Sequence, residues 1–155
     1  MDKRFIDRTS GSGSSNHGWL SLEGLAEVEI TSEDAGHPIE SALLPGRTSG
    51  WKAAEPGQQT VRLLFRKPQD LRRIRMNFVE RDVERTQEYV LRWSSDGRSF
   101  SDIVRQQWNF SHPNSTNEVE DYRVELHGAI LLELSITPDI NGGTACASLA
   151  EMRLA

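Results

Sequence analysis

Three stretches of the chain carry side chains whose types and spacing could do chemistry. The richest is Arg105-Gln106-Gln107-Trp108-Asn109-Phe110-Ser111-His112, two aromatic rings set among amides, a guanidinium and an imidazole. A sugar has apolar C–H faces and a rim of hydroxyls. A ring covers the first, and Arg, Asn, Gln and His satisfy the second. Arg105, Trp108 and Asn109 are therefore candidate ligand-binding residues. The alternate spacing of Trp108 and Phe110 also fits the end of a strand that packs both rings into a core. The second stretch, Glu80-Arg81-Asp82-Val83-Glu84-Arg85-Thr86, repeats a Glu-Arg step and offers Arg81 and Arg85 to an anion or a sugar. Pairing of these charges among themselves in a solvated loop is the other reading. The third, residues 31–50, reads as a loop that adds His37 and Arg47.

Catalytic patterns are absent. His17, His37, His112 and His127 show no metal spacing such as H-x-x-x-H. There is no Gly-x-Ser-x-Gly elbow and no phosphate-cradling loop. Glu33 and Asp34 are adjacent, so on a strand they would point to opposite faces and could not flank one glycosidic bond. The expectation is a binding module and not an enzyme.

The elements that must position these residues are strands. Val61, Leu63 and Phe65 alternate with Arg62, Leu64 and Arg66. Similar period-two runs cover Ile74–Phe78, Tyr89–Trp93, Tyr122–Leu126 and Ile130–Ile136. One face of each run is apolar and the other mostly charged, as in antiparallel sheets packed on one side. Turn signals separate the runs: Glu55-Pro56-Gly57, Lys67-Pro68, Ser95-Asp96-Gly97, His112-Pro113-Asn114 and Asn141-Gly142-Gly143. This spacing predicts an all-β sandwich, with at most one helical turn near Ile39–Leu44. Residues 1–18, with Thr-Ser-Gly-Ser-Gly-Ser-Ser at 9–15, read as a flexible tail, and residues 19–155 as the folded domain.

The 155 residues carry 18 Lys and Arg against 23 Asp and Glu, a net charge of -5. That balance argues against nucleic acid, whose phosphates demand a cationic footprint. One cysteine, Cys146, excludes an internal disulfide and a cysteine-based zinc site. No apolar run is long enough for a membrane-spanning helix. With no secretory pattern at the N-terminus, the expected location is cytoplasmic. Within the acidic whole, residues 62–105 hold eleven bases and seven acids. Arg62, Arg66, Arg73, Arg75 and Arg92 fall on the outward alternation. They could gather into one cationic face for a protein partner, or pair with acids on neighbouring strands.

Four patterns occur in order: Ile30-Thr31-Ser32-Glu33 leading to Pro38 and Ser41-Ala42-Leu43-Leu44; Gly46-Arg47-Thr48-Ser49-Gly50-Trp51; Tyr89-Val90-Leu91-Arg92-Trp93-Ser94-Ser95-Asp96-Gly97-Arg98-Ser99-Phe100; and Ala147-Ser148-Leu149-Ala150-Glu151-Met152-Arg153-Leu154. Together they make residues 25–155 resemble the discoidin, or coagulation-factor type C, family. The resemblance implies an eight-stranded antiparallel jelly-roll β-sandwich of the galactose-binding type, with a ligand site in the loops at one end. It implies carbohydrate or another small polar ligand. Trp93 and Phe100 would enter one core, and Trp51 would be core more than ligand platform. Family members that bind structural calcium use a loop carboxylate where this chain has Leu44-Pro45-Gly46, so no cofactor is expected. Glu151 matches a residue that can contribute to that metal site and is the one candidate ligand. The polar loops argue against membrane binding. Within this frame, residues 51–61 are similar to a strand region of the N-terminal domain of the X-ray-repair scaffold protein. That likeness implies an intracellular protein-interaction module as the second reading.

Overall fold

A computed structural model describes residues 18–155. The expected tail therefore lies, apart from Gly18, outside the described residues. The elements run β1 (Ala26–Ile30), α1 (Glu40–Leu43), β2 (Trp51–Pro56), β3 (Gln59–Val79), β4 (Arg85–Ser94), β5 (Ser101–Phe110), β6 (Asn117–Thr137), β7 (Cys146–Leu149) and β8 (Glu151–Leu154). The order of the larger sheet is β1-β3-β6-β4-β5, with β8 on β3; β2 pairs with β7. The architecture is the antiparallel β-sandwich that the period-two runs predict, and α1 is the single expected helical turn.

Two runs separated by a turn signal prove continuous. Lys67-Pro68 does not end a strand: β3 passes through it for 21 residues. The register against β6 shifts between Leu64 and Gln69, again before Leu71, and again before Arg73. Extra residues at these bulges reverse the side-chain parity. Val61, Leu63 and Phe65 are buried on one side of the bulges, and Ile74, Met76 and Phe78 on the other. Odd and even numbers thus serve one core. Pro68 has no N–H to give a ladder and is tolerated at such a bulge.

The bulges divide the long β3–β6 ribbon between two layers. Residues 59–64 of β3 pair with 131–136 of β6, and this half continues through β1 on one side and β4 on the other. Residues 71–79 pair with 117–126, and β8 joins them at Ile74–Asn77. The layers face each other across the core: Phe78 stacks on Tyr89 of β4 with ring centroids 5.1 Å apart. Burying an apolar side chain of this size stabilises the fold by about 1.5–3 kcal/mol relative to exposure.

The Asp96-Gly97 hairpin forms as expected. Gly97 takes φ 77, and Asp96 Oδ1 accepts the Arg98 and Ser99 amides, both at 2.8 Å. These amides, Ser99 first, hold the Asp96 carboxyl below the usual carboxylate range. Phe100 departs from expectation. Trp93 packs against the core, but Phe100 lies under the Arg92 guanidinium, 4.9 Å from its ring centroid.

Among the described residues, Arg62, Arg66, Arg73, Arg75 and Arg92 form no free cationic face. Glu133, 2 % exposed, takes Arg62 at 2.7 Å from one side and Arg92 from the other. Arg66 pairs with Glu27, Arg73 with Asp121 and Arg75 with Glu151. The outward bases are neutralised across strands, which removes the basis for a cationic docking face.

Candidate functional site

Loops 31–50 and 80–84 meet over β7 and enclose a cleft of about 590 Å³. The first loop is held by its own polar atoms. Asp34 Oδ2 accepts the Gly36 amide at 3.2 Å, and the His37 amide bonds to Asp34 O at 2.9 Å. The loop then exchanges backbone bonds with β2: Asp34 N donates to Lys52 O (2.8 Å) and Lys52 N to His37 O (3.2 Å). This exchange sets His37 and Lys52 side by side on the cleft wall. Trp51 Nε1 donates to Ser32 O at 3.1 Å, and the Trp51 ring is 1 % exposed, so it fastens the loop from within.

Gly50 allows the loop to close down on β7. Its φ is 66, and a Cβ there would lie 3.0 Å from Leu149 O and 3.1 Å from Ala150 Cα. Beneath it, Trp51 pairs with Leu149 and Lys52 with Ser148. Asn77 lies in the cleft lining, and its Oδ1 is buried without a hydrogen-bond partner.

The second loop hangs on one buried cation. Arg85, with no exposed side-chain surface, donates from Nε to Glu80 Oε1 at 2.8 Å and from Nη1 to Pro138 O at 2.7 Å. Its guanidinium lies 4.8 Å from the Phe110 ring centroid. Glu80 Oε2 in turn accepts the Asp82 amide at 3.2 Å. Burial pushes the Glu80 carboxyl up, but the Arg85 bond and loop amides outweigh it and hold it below the usual range. Glu80 is thus an anchored anion. It leaves Arg81, Asp82 and the 46 %-exposed Val83 to face the cleft.

His37 has a defined tautomer when neutral. Its Nδ1 lies 3.0 Å from Ser49 O, an acceptor only, so Nδ1 carries the proton. Nε2 is left as an acceptor for a ligand hydroxyl.

Of the residues singled out in the sequence, the structure brings His37 and Arg81 together in this cleft. Arg47 is exposed on the same loop but outside the lining. Arg85 is withdrawn into the interior and positions Glu80. The Arg105–Phe110 segment is a correction: it is strand β5 paired with β4 and no loop. Arg105 and Asn109 face outward, where Arg105 bonds Glu88 at 2.8 Å and Asn109 accepts Thr86 Oγ1 at 3.1 Å. Trp108 points inward against the core with its Nε1 buried and unpartnered. Residues on opposite faces of a strand cannot converge on one ligand. Glu151 is engaged by Arg75 at 3.0 Å and Arg153 at 3.4 Å, which leaves it unsuited to a cation. Among the described residues no three His, Cys, Asp or Glu side chains gather, and no described helix is long and apolar enough to cross a membrane.

Lys52, Thr48, Asn77, Asp82, Val83 and Ser148 complete the cleft and carry no signature in the sequence. They come from two loops and three strands and acquire meaning only when β2, β3 and β7 are assembled.

No family profile matches the chain, and no curated protein sequence matches it either. Solved structures do. A CBM32 module from a family 31 glycoside hydrolase of Clostridium perfringens superposes with a TM-score of 0.63 at 16% identity, covering 97% of this chain and 98% of that one. Another C. perfringens CBM32, solved with GalNAc-β-1,3-galactose, gives 0.59 at 19% identity, over 88% and 98%. The CBM32 of AlyQ, in complex with 4,5-unsaturated mannuronic acid, gives 0.61 at 14% identity, over 84% and 95%. Sequence identity this low carries the fold alone, an antiparallel β-sandwich superposed over most of both chains. The chain therefore adopts the galactose-binding-like, discoidin-type β-sandwich fold of the CBM32 carbohydrate-binding modules.

Proposed function

We propose that this protein is a non-catalytic carbohydrate-binding module whose site is the cleft between loops 31–50 and 80–84. One observation carries the reading. The cleft sets Val79, Val83 and Ala150 beside hydroxyls of Thr48, Ser49 and Ser148, the His37 imidazole, and the Lys52 and Arg81 cations. Apolar patches suit the C–H face of a pyranose, and convergent donors and acceptors suit its hydroxyls. Support also comes from solved CBM32 structures of the same fold, among them complexes with sugars. The lining contains no acid–base pair placed to cleave a bond: Glu80 is held by Arg85, and Asp82 is its chain near-neighbour.

Affinity follows from size. A monosaccharide of about 12 heavy atoms at about -0.3 kcal/mol each gains about -4 kcal/mol, near millimolar. The fitting assay is therefore amide chemical-shift titration with a panel of mono- and oligosaccharides. Shifts clustered on His37, Thr48, Lys52, Arg81 and Val83 are expected. Silence across the panel, or shifts confined to β5, would overturn the proposal. The protein-interaction reading loses its support, since the bases of the outer sheet face are paired with acids.

A further inference from the structure

The sugar reading leaves one feature of the cleft unused. Eight of the 13 described arginines are spent on a carboxylate: Arg62, Arg66, Arg73, Arg75, Arg85, Arg92, Arg105 and Arg153 all have acidic partners. Lys52 and Arg81 are not among these, and unlike the other described bases without an ion pair (Arg47, Lys67, Arg72, Arg98 and Arg123) they stand together at one cleft. Both line the cleft, and among the described residues neither forms an ion pair. Glu80 cannot serve them, because Arg85 already neutralises it. Asp82 offsets one of the two charges, so the lip keeps a surplus of positive charge on a chain whose net charge is -5.

The cations stand on separately anchored elements. Lys52 is fixed on β2 opposite Ser148; Arg81 follows Glu80, whose carboxylate is tied down by Arg85. A neutral sugar entering between them would strip water from two charged groups and return hydrogen bonds to its hydroxyls but no counter-charge. A carboxylate returns both: the Arg fork matches its two oxygens, and the ammonium adds a point charge.

We infer that the cleft selects sugars bearing a carboxylate, with Lys52 and Arg81 as the specificity-determining residues. This rests on the carbohydrate reading and deepens it. The uronate's ring face lies on Val79 and Val83, its carboxylate reaches Lys52 and Arg81, and a hydroxyl donates to His37 Nε2.

The test compares galacturonate and glucuronate with galactose, glucose and galactose 6-sulfate by chemical-shift titration, at about 20 mM and about 300 mM NaCl. Expected is about tenfold tighter binding of a uronate than of its neutral parent at low salt, shrinking severalfold at high salt. In Lys52→Gln and Arg81→Gln, checked for folding by amide spectra, the uronate-to-neutral ratio falls toward one. Equal affinity for acid and neutral parent would overturn the inference while leaving the carbohydrate reading standing. So would a ratio unchanged in both variants. A sulfate ester binding as tightly as the uronate would show a site for anions in general and overturn the carboxylate assignment. Binding by no sugar of any kind overturns the carbohydrate reading and this inference with it.

Discussion

Glu118 offers a perturbation whose size can be worked from the structure. It is fully buried on β6, with Gln87 Nε2 3.4 Å from its Oε1 and its Oε2 unpartnered. Burial first, and the adjoining Glu120 second, push its carboxyl up to about 8 from 4.5; Gln87 and Arg85 oppose this. The folded protein thus holds a proton there that the unfolded chain releases. Stability is undiminished below the unfolded value of 4.5 and falls as pH rises, by about 1.4 kcal/mol per pH unit, until the folded carboxyl also ionises near 8. The full span corresponds to about 5 kcal/mol, and sharing of the proton with Glu120 reduces it, so about 2–5 kcal/mol is the working range. Glu118→Gln removes the titration and keeps the shape. Urea unfolding of both proteins measures it. Near pH 5 the two differ by at most about 1 kcal/mol, and by about pH 8 the variant is the more stable by about 2–5 kcal/mol. Identical pH slopes for wild type and variant would refute the reasoning, because they would mean that no proton is retained at this position on folding.

Further outcomes follow from single contacts. Arg85→Met strands Glu80 and the Pro138 carbonyl and costs about 3–5 kcal/mol by urea unfolding; a loss under about 1 kcal/mol would contradict its role as the loop's anchor. Gly50→Ala forces a Cβ toward Leu149 O at positive φ and destabilises by about 1–3 kcal/mol, measured by thermal melting. Trp108→Phe removes a buried unpartnered N–H along with some packing, so stability changes by less than about 2 kcal/mol and sugar-induced shifts at the cleft persist. Loss of those shifts would return Trp108 to the binding site. Glu133→Ala leaves Arg62 and Arg92 facing each other and lowers stability at neutral pH. Burial pushes the Glu133 carboxyl up, yet Arg92 and then Arg62 overcome this and hold it low. Its contribution is therefore present above the normal carboxylate range and fades in wild type as acid protonates it, a window opposite in sign to that of Glu118.

The reach of sequence reasoning shows in particular residues. The alternation of Val61, Leu63 and Phe65, or of Tyr89 and Leu91, was enough to place strands, because a period of two leaves one face apolar whatever the neighbours are. Asp96-Gly97 announced its hairpin for a similarly local reason, the φ of 77 that glycine adopts without strain. The stretch 105–110 misled because its inward position 106 is Gln, which breaks the apolar alternation and makes a strand look like a loop. Lys67-Pro68 misled because a bulge absorbs a proline as readily as a turn does.

The amino-acid sequence by itself determined the antiparallel sandwich, its hairpin, its one helical turn, and the burial of Trp51, since each follows from neighbours within a few residues. Only the tertiary structure decided which charges are spent and which are free. Arg81 and Arg85 are four residues apart and chemically identical, yet one is sealed against Glu80 and Phe110 and the other opens on a cleft. Lys52 gains its place there through backbone bonds to His37 and Ser148, partners that lie 15 and 96 residues away in the chain. Pairing of that kind depends on strand register across the whole fold, which no local pattern encodes.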